Sequence, residues 1–172
     1  MVRFLPEALV LAIHDDQIRL YGGAYGIRDT AAIDSALHMP QAQFGGQFLH
    51  PAVLHMAAAY GFHLCQNHPF LDGNKRTAGM AMFTFLGLNG LEVIAAEQDY
   101  YITMMAVASG EMTKEQLTNW LQTAVSGTLP DVTAGQSEAA SFVNTALLSS
   151  RRATLLDQVP GLDEQLVRLN SV

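Results

Sequence analysis

The stretch "HPFLDGNKR", residues 68–76, gathers an imidazole, a carboxylate, a carboxamide and two cations between two apolar, helix-patterned runs. Such a set suits work on a bound anion. A helix opening at Asn74, just after Gly73, presents N–H groups with no partner inside the helix, and its dipole adds partial positive charge. Gly73 allows a tight turn and a close approach of the anion. Lys75 and Arg76 add full charges in the first turn, and a guanidinium matches phosphate in bidentate fashion. Asn74 adds an amide donor. So many converging donors point to phosphate rather than to a lone carboxylate.

Asp72 beside this cradle would repel an anion unless a divalent cation sits between them, the usual way magnesium is held. His68, at the end of the preceding helix, is placed to act as a general base at neutral pH. Base, metal carboxylate, anion nest and cation clamp are the parts of phosphoryl or nucleotidyl transfer, where positioning and charge stabilisation do most of the catalysis. Spacing alone leaves a plainer reading open. In it the stretch is a polar interhelical loop, with His68 partly buried on a backbone partner, Asp72 capping a helix and Lys75 and Arg76 solvated. The order of residues is not that of a P-loop.

The elements that must position these groups are helical. A first helix is expected from about Pro6, at a first helical position, to Leu20, ended by Gly22-Gly23. A second starts at an Asp29 cap, carries Ile33 and Leu37 four apart and stops at Pro40. Residues 41–50, "QAQFGGQFLH", lack a helical period and read as a loop or small hairpin around Gly45-Gly46. The third helix begins near Pro51 and repeats Leu54, Ala58, Gly61 and Cys65 on one face. It ends at Asn67-His68-Pro69, because a residue before proline is pushed out of the helical region.

The fourth runs from about Asn74 to Asn89-Gly90 and is apolar nearly all round, so it should be the central buried helix. "LEVIAA" reads as a short strand or an extended link. A fifth helix spans roughly Asp99 to Ala108. A sixth opens with a capping box, Thr113 to Gln116, and sets Leu117, Trp120, Leu121 and Ala124 on one face. Composition then divides the chain into a domain over residues 1–125, a Ser/Thr/Gly/Pro-rich linker over 126–137 and a helical extension over 138–172.

The 172 residues suffice for one domain with a sizeable core, and nearly half of them are apolar. No apolar run reaches the length of a membrane span, and the first residues lack the pattern of a secretory signal. The expected setting is the cytoplasm, and the single Cys65 agrees, since one cysteine makes no internal disulfide. It reads as a small buried hydrophobe. A net charge of −7 argues against direct nucleic-acid binding. His55 and His63, with His68 and Asp72, supply metal-ligand types, but no HExxH is present and His55 and His63 read as structural or interior. The one adjacent His-Asp pair, His14-Asp15, lies far off in sequence. Tyr100 and Tyr101 read as packing residues.

"HPFLDGNKR" resembles the Fic/Doc superfamily signature, roughly H-x-F-x-[DE]-[GA]-N-[GK]-R, at every constrained position. The flanks "GGAYGIRDTAAIDSALHMPQAQFGG" and "VASGEMTKEQLTNWL" are similar to its death-on-curing toxin branch, and the resemblance covers about residues 5–125. It implies an all-α fold with a central buried helix pair, a flap before the third helix and, here, a helical C-terminal appendage. It implies that His68 activates a target hydroxyl and that Asp72 holds Mg2+. Gly73, Asn74, Lys75 and Arg76 would bind the phosphates of ATP, and Phe70, after Pro69, would be a buried wedge. The flap, Gln41, Ala42, Gln43, Phe44, Gly45 and Gly46, would dock a target segment by strand addition.

The branch further implies a toxin that phosphorylates a translation factor such as elongation factor Tu and is opposed by a cognate antitoxin. Lys75 stands where adenylylating members have glycine, whereas Gly73 matches the adenylylating consensus. Protein adenylylation is therefore the alternative, and a catalytically silent binding module of the same fold is the non-enzymatic one. The tail has no match to the family's self-inhibiting pattern [ST]-x-x-x-E-[GN]. Its many leucines would have to be buried against its own domain, an antitoxin groove or a second copy of the chain.

Overall fold

A computed structural model describes residues 1–129 and Val132. The expected extension over 138–172, and most of the linker before it, lie outside the described residues. What is described is mostly helical, with six α-helices and four two-residue strands. The all-α expectation holds.

Helix α1 is Glu7–Tyr21. Pro6 stands just before it in an extended conformation, one position earlier than expected, and Gly22 ends it with φ 75°. Helix α2, Thr30–His38, is capped by the Asp29 carboxylate, which accepts from the Ala32 N–H at 3.1 Å. A 3-10 turn, Met39–Gln41, leads into the hairpin of β1 (Gln43–Phe44) and β2 (Gln47–Phe48), paired antiparallel with Phe44 opposite Gln47. Gly45 and Gly46 at its tip both have positive φ, 58° and 79°, the requirement of a two-residue turn whose twist matches its strands.

Helix α3, Val53–Asn67, and helix α4, Asn74–Leu88, make the most extensive helix–helix contact among the described residues. Ten residues of α3 are buried, among them Ala57, Ala58, Ala59 and Gly61, whose small size lets its neighbours close in. A Cβ on Gly61 would meet the Met82 sulfur at 2.8 Å and Leu117 at 3.4 Å, so α3 is clasped at one point by α4 and by the helix that carries Leu117. The Tyr60 ring packs 5.0 Å from Phe85, and its hydroxyl accepts from the Leu5 N–H at 3.1 Å. Burial pushes that phenol up to about 12. Cys65 is buried, as expected, and burial raises its thiol to about 11.

"LEVIAA" forms β3, Glu92–Val93, and the sequence gives no sign of its partner, β4 (Val125–Ser126), which closes back on it antiparallel. Helix α5 is Glu97–Ser109, two residues longer at its start than expected, because Ala96 is the extended residue that precedes it. Helix α6, Lys114–Ala124, begins with the expected capping box: Thr113 and Gln116 exchange backbone and side-chain hydrogen bonds of 3.2 and 2.8 Å. Leu117, Leu121 and Ala124 are buried against the core and Trp120 is half-buried at its margin.

Candidate active site

Pro69 has no N–H to continue α3, and its ring disfavours a helical residue before it. The chain responds at His68 with φ 48° and ψ 54°, the left-handed region. Among the described residues His68 is the only non-glycine with positive φ, and its side chain is exposed. Non-glycine residues held in this conformation concentrate at functional sites.

The turn that follows is held from both sides. The Pro69 carbonyl accepts from the N–H groups of Arg28 (2.7 Å) and Asp29 (3.1 Å), and the Leu71 N–H donates to Gly26 O at 3.0 Å. Residues 69–71 thus lie against the 26–29 segment like a strand, with Ile27 and Phe70 forming an antiparallel bridge. Arg28 Nη2 donates to Asn67 O at 2.9 Å and so satisfies a carbonyl at the end of α3.

Phe70 is buried, as the wedge role requires. Its N–H and its carbonyl are both bonded to the Asn74 carboxamide, each at 2.9 Å. The Asn74 side chain, expected to donate to an anion, uses its oxygen and one of its N–H groups to close the loop.

Asp72 is half exposed. Its Oδ1 accepts the Gly73 N–H at 2.6 Å, and this bond, with help from the Ala24 N–H and the Arg76 charge, holds the carboxyl below the usual carboxylate range. Gly73 precedes α4 with φ 73°, and a Cβ there would fall 2.9 Å from the Ile18 methyl. No side chain caps α4. The N–H groups of Asn74, Lys75 and Arg76 therefore have no intrahelical partner and face the loop end of the helix. Lys75 is exposed.

Arg76 departs from the expectation of a solvent-facing clamp. Its Nη1 donates to Gln17 O at 3.2 Å and Gly22 O at 3.0 Å, while Nη2 lies 3.7 Å from Asp72 Oδ1. The guanidinium also sits 5.9 Å from the Tyr21 ring centroid. Half of this side chain ties the end of α1 to the site, and half remains beside the carboxylate.

Sequence reasoning set His14 aside as distant and read Gly23 only as part of a helix stop. His14 Nε2 lies 3.2 Å from Asp72 O, and a Cβ on Gly23 would come within 2.3 Å of Asp72 Oδ2. One signal was present: Val10, His14 and Ile18 recur at four-residue intervals, all three are buried, and His14 is the polar member of that face.

The other expected residues stand apart. The flap tip, Gln43 to Gly46, is exposed, with Phe44 at 82% of its full surface, while Gln41 and Ala42 are half-buried at its root. The histidines of α3 do not join the site: among the described residues no group of three His, Cys, Asp or Glu is placed to hold a metal ion. His55 Nδ1 and His63 Nε2 are instead buried without a hydrogen-bond partner. Tyr100 packs its hydroxyl against Gly79, where a Cβ would meet it at 2.1 Å, but Tyr101 is exposed rather than packed. No helix among the described residues is long and apolar enough to cross a membrane.

The Fic/DOC family profile matches residues 4–86, which include every residue of this site. The chain is 41% identical over 75 residues to "Toxin Doc" of Mycolicibacterium smegmatis (strain ATCC 700084 / mc(2)155), a match covering 44% of this chain and 58% of that protein. It is 30% identical over 117 residues to "Protein kinase doc" of Escherichia phage P1, covering 68% of this chain and 90% of that protein. With the helical fold and the intact loop from His68 to Arg76, these matches establish that the chain belongs to the Fic/DOC family.

Proposed function

We propose that the chain is a cytoplasmic toxin that uses magnesium and ATP to phosphorylate a hydroxyl of a protein, a translation factor of the elongation factor Tu kind, and that a cognate antitoxin opposes it. The observation that carries this reading is the geometry of one loop. An exposed imidazole in a strained conformation stands at its start, and an anionic carboxylate and an uncapped helix N-terminus with Lys75 stand at its end. The names of the two relatives, a toxin and a protein kinase, support it.

In this reading the target hydroxyl oxygen attacks the γ-phosphorus of ATP, the bond from that phosphorus to the bridging oxygen breaks, and ADP leaves. The hydroxyl proton passes to His68. The phosphate oxygens face the first N–H groups of α4, with Lys75 and the Nη2 of Arg76 beside them. The donor set fits magnesium: Asp72 keeps a half-exposed carboxylate in its charged form, and one carboxylate completed by phosphate oxygens and water is a usual magnesium environment. Bound there, the ion would neutralise charge between the phosphates.

The exposed hairpin edge, with Phe44 at its tip, suits an extended target segment. The division into a domain over 1–125, a linker and an extension over 138–172 that contacts an antitoxin or a second copy belongs to the same proposal. Deletion of residues 130–172 tests it through transfer and molecular mass.

Adenylylation is the second reading, favoured by Gly73. There the hydroxyl attacks the α-phosphorus and pyrophosphate leaves. Incubation with magnesium, cell extract and ATP labelled at either the α or the γ position separates the two. Protein labelled only from the γ position supports phosphorylation, and label from the α position supports adenylylation. No His68-dependent label from either position would overturn both.

A further inference from the structure

We infer that His14 is a positioning residue for the Asp72 carboxylate, acting through the peptide that joins Asp72 to Gly73. The inference rests on the reading of Asp72 as the magnesium carboxylate.

His14 lies on the inner face of α1 with only 2% of its surface exposed. Its neighbours on that face, Val10 and Ile18, are apolar, and an aliphatic side chain would serve packing as well. The imidazole instead lies flat on the Phe70 ring, with centroids 4.0 Å apart and 12° between planes. That stack fixes where the ring edge points. Its Nε2 meets the Asp72 carbonyl oxygen at 3.2 Å. A carbonyl only accepts, so Nε2 carries the hydrogen. Nδ1 lies 3.4 Å from the exposed Asp15 carboxylate.

The carbonyl that His14 holds belongs to a planar unit. In a trans peptide the C=O of Asp72 and the N–H of Gly73 point in opposite directions. Fixing the oxygen toward α1 therefore aims the Gly73 N–H the other way, and that N–H is the donor bonded to Asp72 Oδ1 at 2.6 Å. The chain of contacts runs from the His14 ring to the peptide plane and from the plane to the carboxylate. Without the first bond the peptide can rotate, and the carboxylate loses the nearest of the partners that hold its rotamer, the Ala24 N–H and Arg76 being the others. Outer partners of this kind typically change metal affinity roughly 10- to 100-fold.

His14→Phe keeps the stacked ring and removes the donor. The test is calorimetric titration of Mn2+, a stand-in for magnesium, into the full chain with a non-hydrolysable ATP analogue, alongside urea unfolding. Asp72→Asn is the control. His14→Phe should weaken Mn2+ binding roughly 10-fold or more and leave the affinity for the analogue without metal unchanged. A merely structural histidine would lower the unfolding midpoint and leave the Mn2+ affinity as it was; that result overturns the inference. Should His14→Phe fail to fold, His14→Gln and His14→Asn are compared, since both are polar donors that differ in reach. His14→Gln should bind Mn2+ more tightly than His14→Asn, and equal affinity overturns the inference. If Asp72→Asn itself binds Mn2+ like the wild type, the metal role of Asp72 falls, and the inference with it. That outcome is distinct from one in which Asp72 matters and His14 does not.

Discussion

The carboxamide of Asn74 donates to and accepts from the main chain of Phe70, closing a ring of two 2.9 Å hydrogen bonds around the loop that carries Asp72. Both partners are buried. Asn74→Asp keeps size and an acceptor but loses the donor, leaving the Phe70 carbonyl buried without a partner. It should cost about 1–3 kcal/mol in urea unfolding and lower transfer as well. Unchanged stability would mean that the ring does not hold the loop.

His68→Ala should reduce transfer about 10²- to 10⁴-fold, the usual contribution of a general base. His68→Gly separates conformation from chemistry. Glycine occupies the left-handed region without a side-chain clash, so this variant should be at least as stable as the wild type in thermal unfolding and equally inactive as His68→Ala. A destabilised His68→Gly would show that the imidazole packs rather than reacts.

Arg76→Ala should damage fold and transfer together. A wholly solvated cation would contribute little to stability, but Nη1 of Arg76 is bonded to the carbonyls of Gln17 and Gly22. Loss of these charge-assisted bonds should cost about 1–2 kcal/mol, read from the unfolding midpoint. Saturating nucleotide should fail to restore full transfer. Full stability with lost nucleotide binding would return Arg76 to a purely ligand-facing role.

Mild acid should loosen the protein through His63. Burial, with the nearby Lys114 and His50, pushes its imidazole down to about 4 from the ordinary 6.5. Between those values the unfolded chain binds the proton more readily than the folded one. The stability contribution is therefore present above 6.5 and is lost as pH falls toward 4. Urea midpoints measured across this window should fall with pH, and His63→Leu should flatten the slope. An unchanged slope in that variant would assign the acid sensitivity to other groups, of which His50, also lowered by burial, is the first.

What the sequence made legible were features written in residue type. The Thr113–Gln116 box, the Asp29 cap, the Gly45-Gly46 turn and the His68-Pro69 stop all carry their own local chemistry, and each stands where it was expected. The candidate site residues stand out in the sequence for the same reason. Their partners were not, because most are main-chain carbonyls and N–H groups, which every residue possesses. Arg76 on Gln17 O, Asn74 on Phe70 and Arg28 on Asn67 O have no signature in composition or period. The β3–β4 pair was hidden likewise: two residues each are too few for an alternating pattern to register.

The ties that shape the loop also span long stretches of chain. His14 reaches Asp72 across 58 positions, Arg76 reaches Gln17 across 59, and Arg28 reaches Asn67 across 39. The helices that bracket the loop, α3 and α4, are by contrast neighbours joined by a short turn, and local contacts of that kind form early and fast. Two kinds of contact thus meet here: the α3–α4 pairing is local in sequence, whereas the shape of the loop depends on bonds to the distant amino-terminal helix. Closing the longer loops carries the larger entropic cost, and an amino-terminal helix that lifted away would take the bonds of His14, Gln17 and Gly22 to the loop and its flanking helix with it.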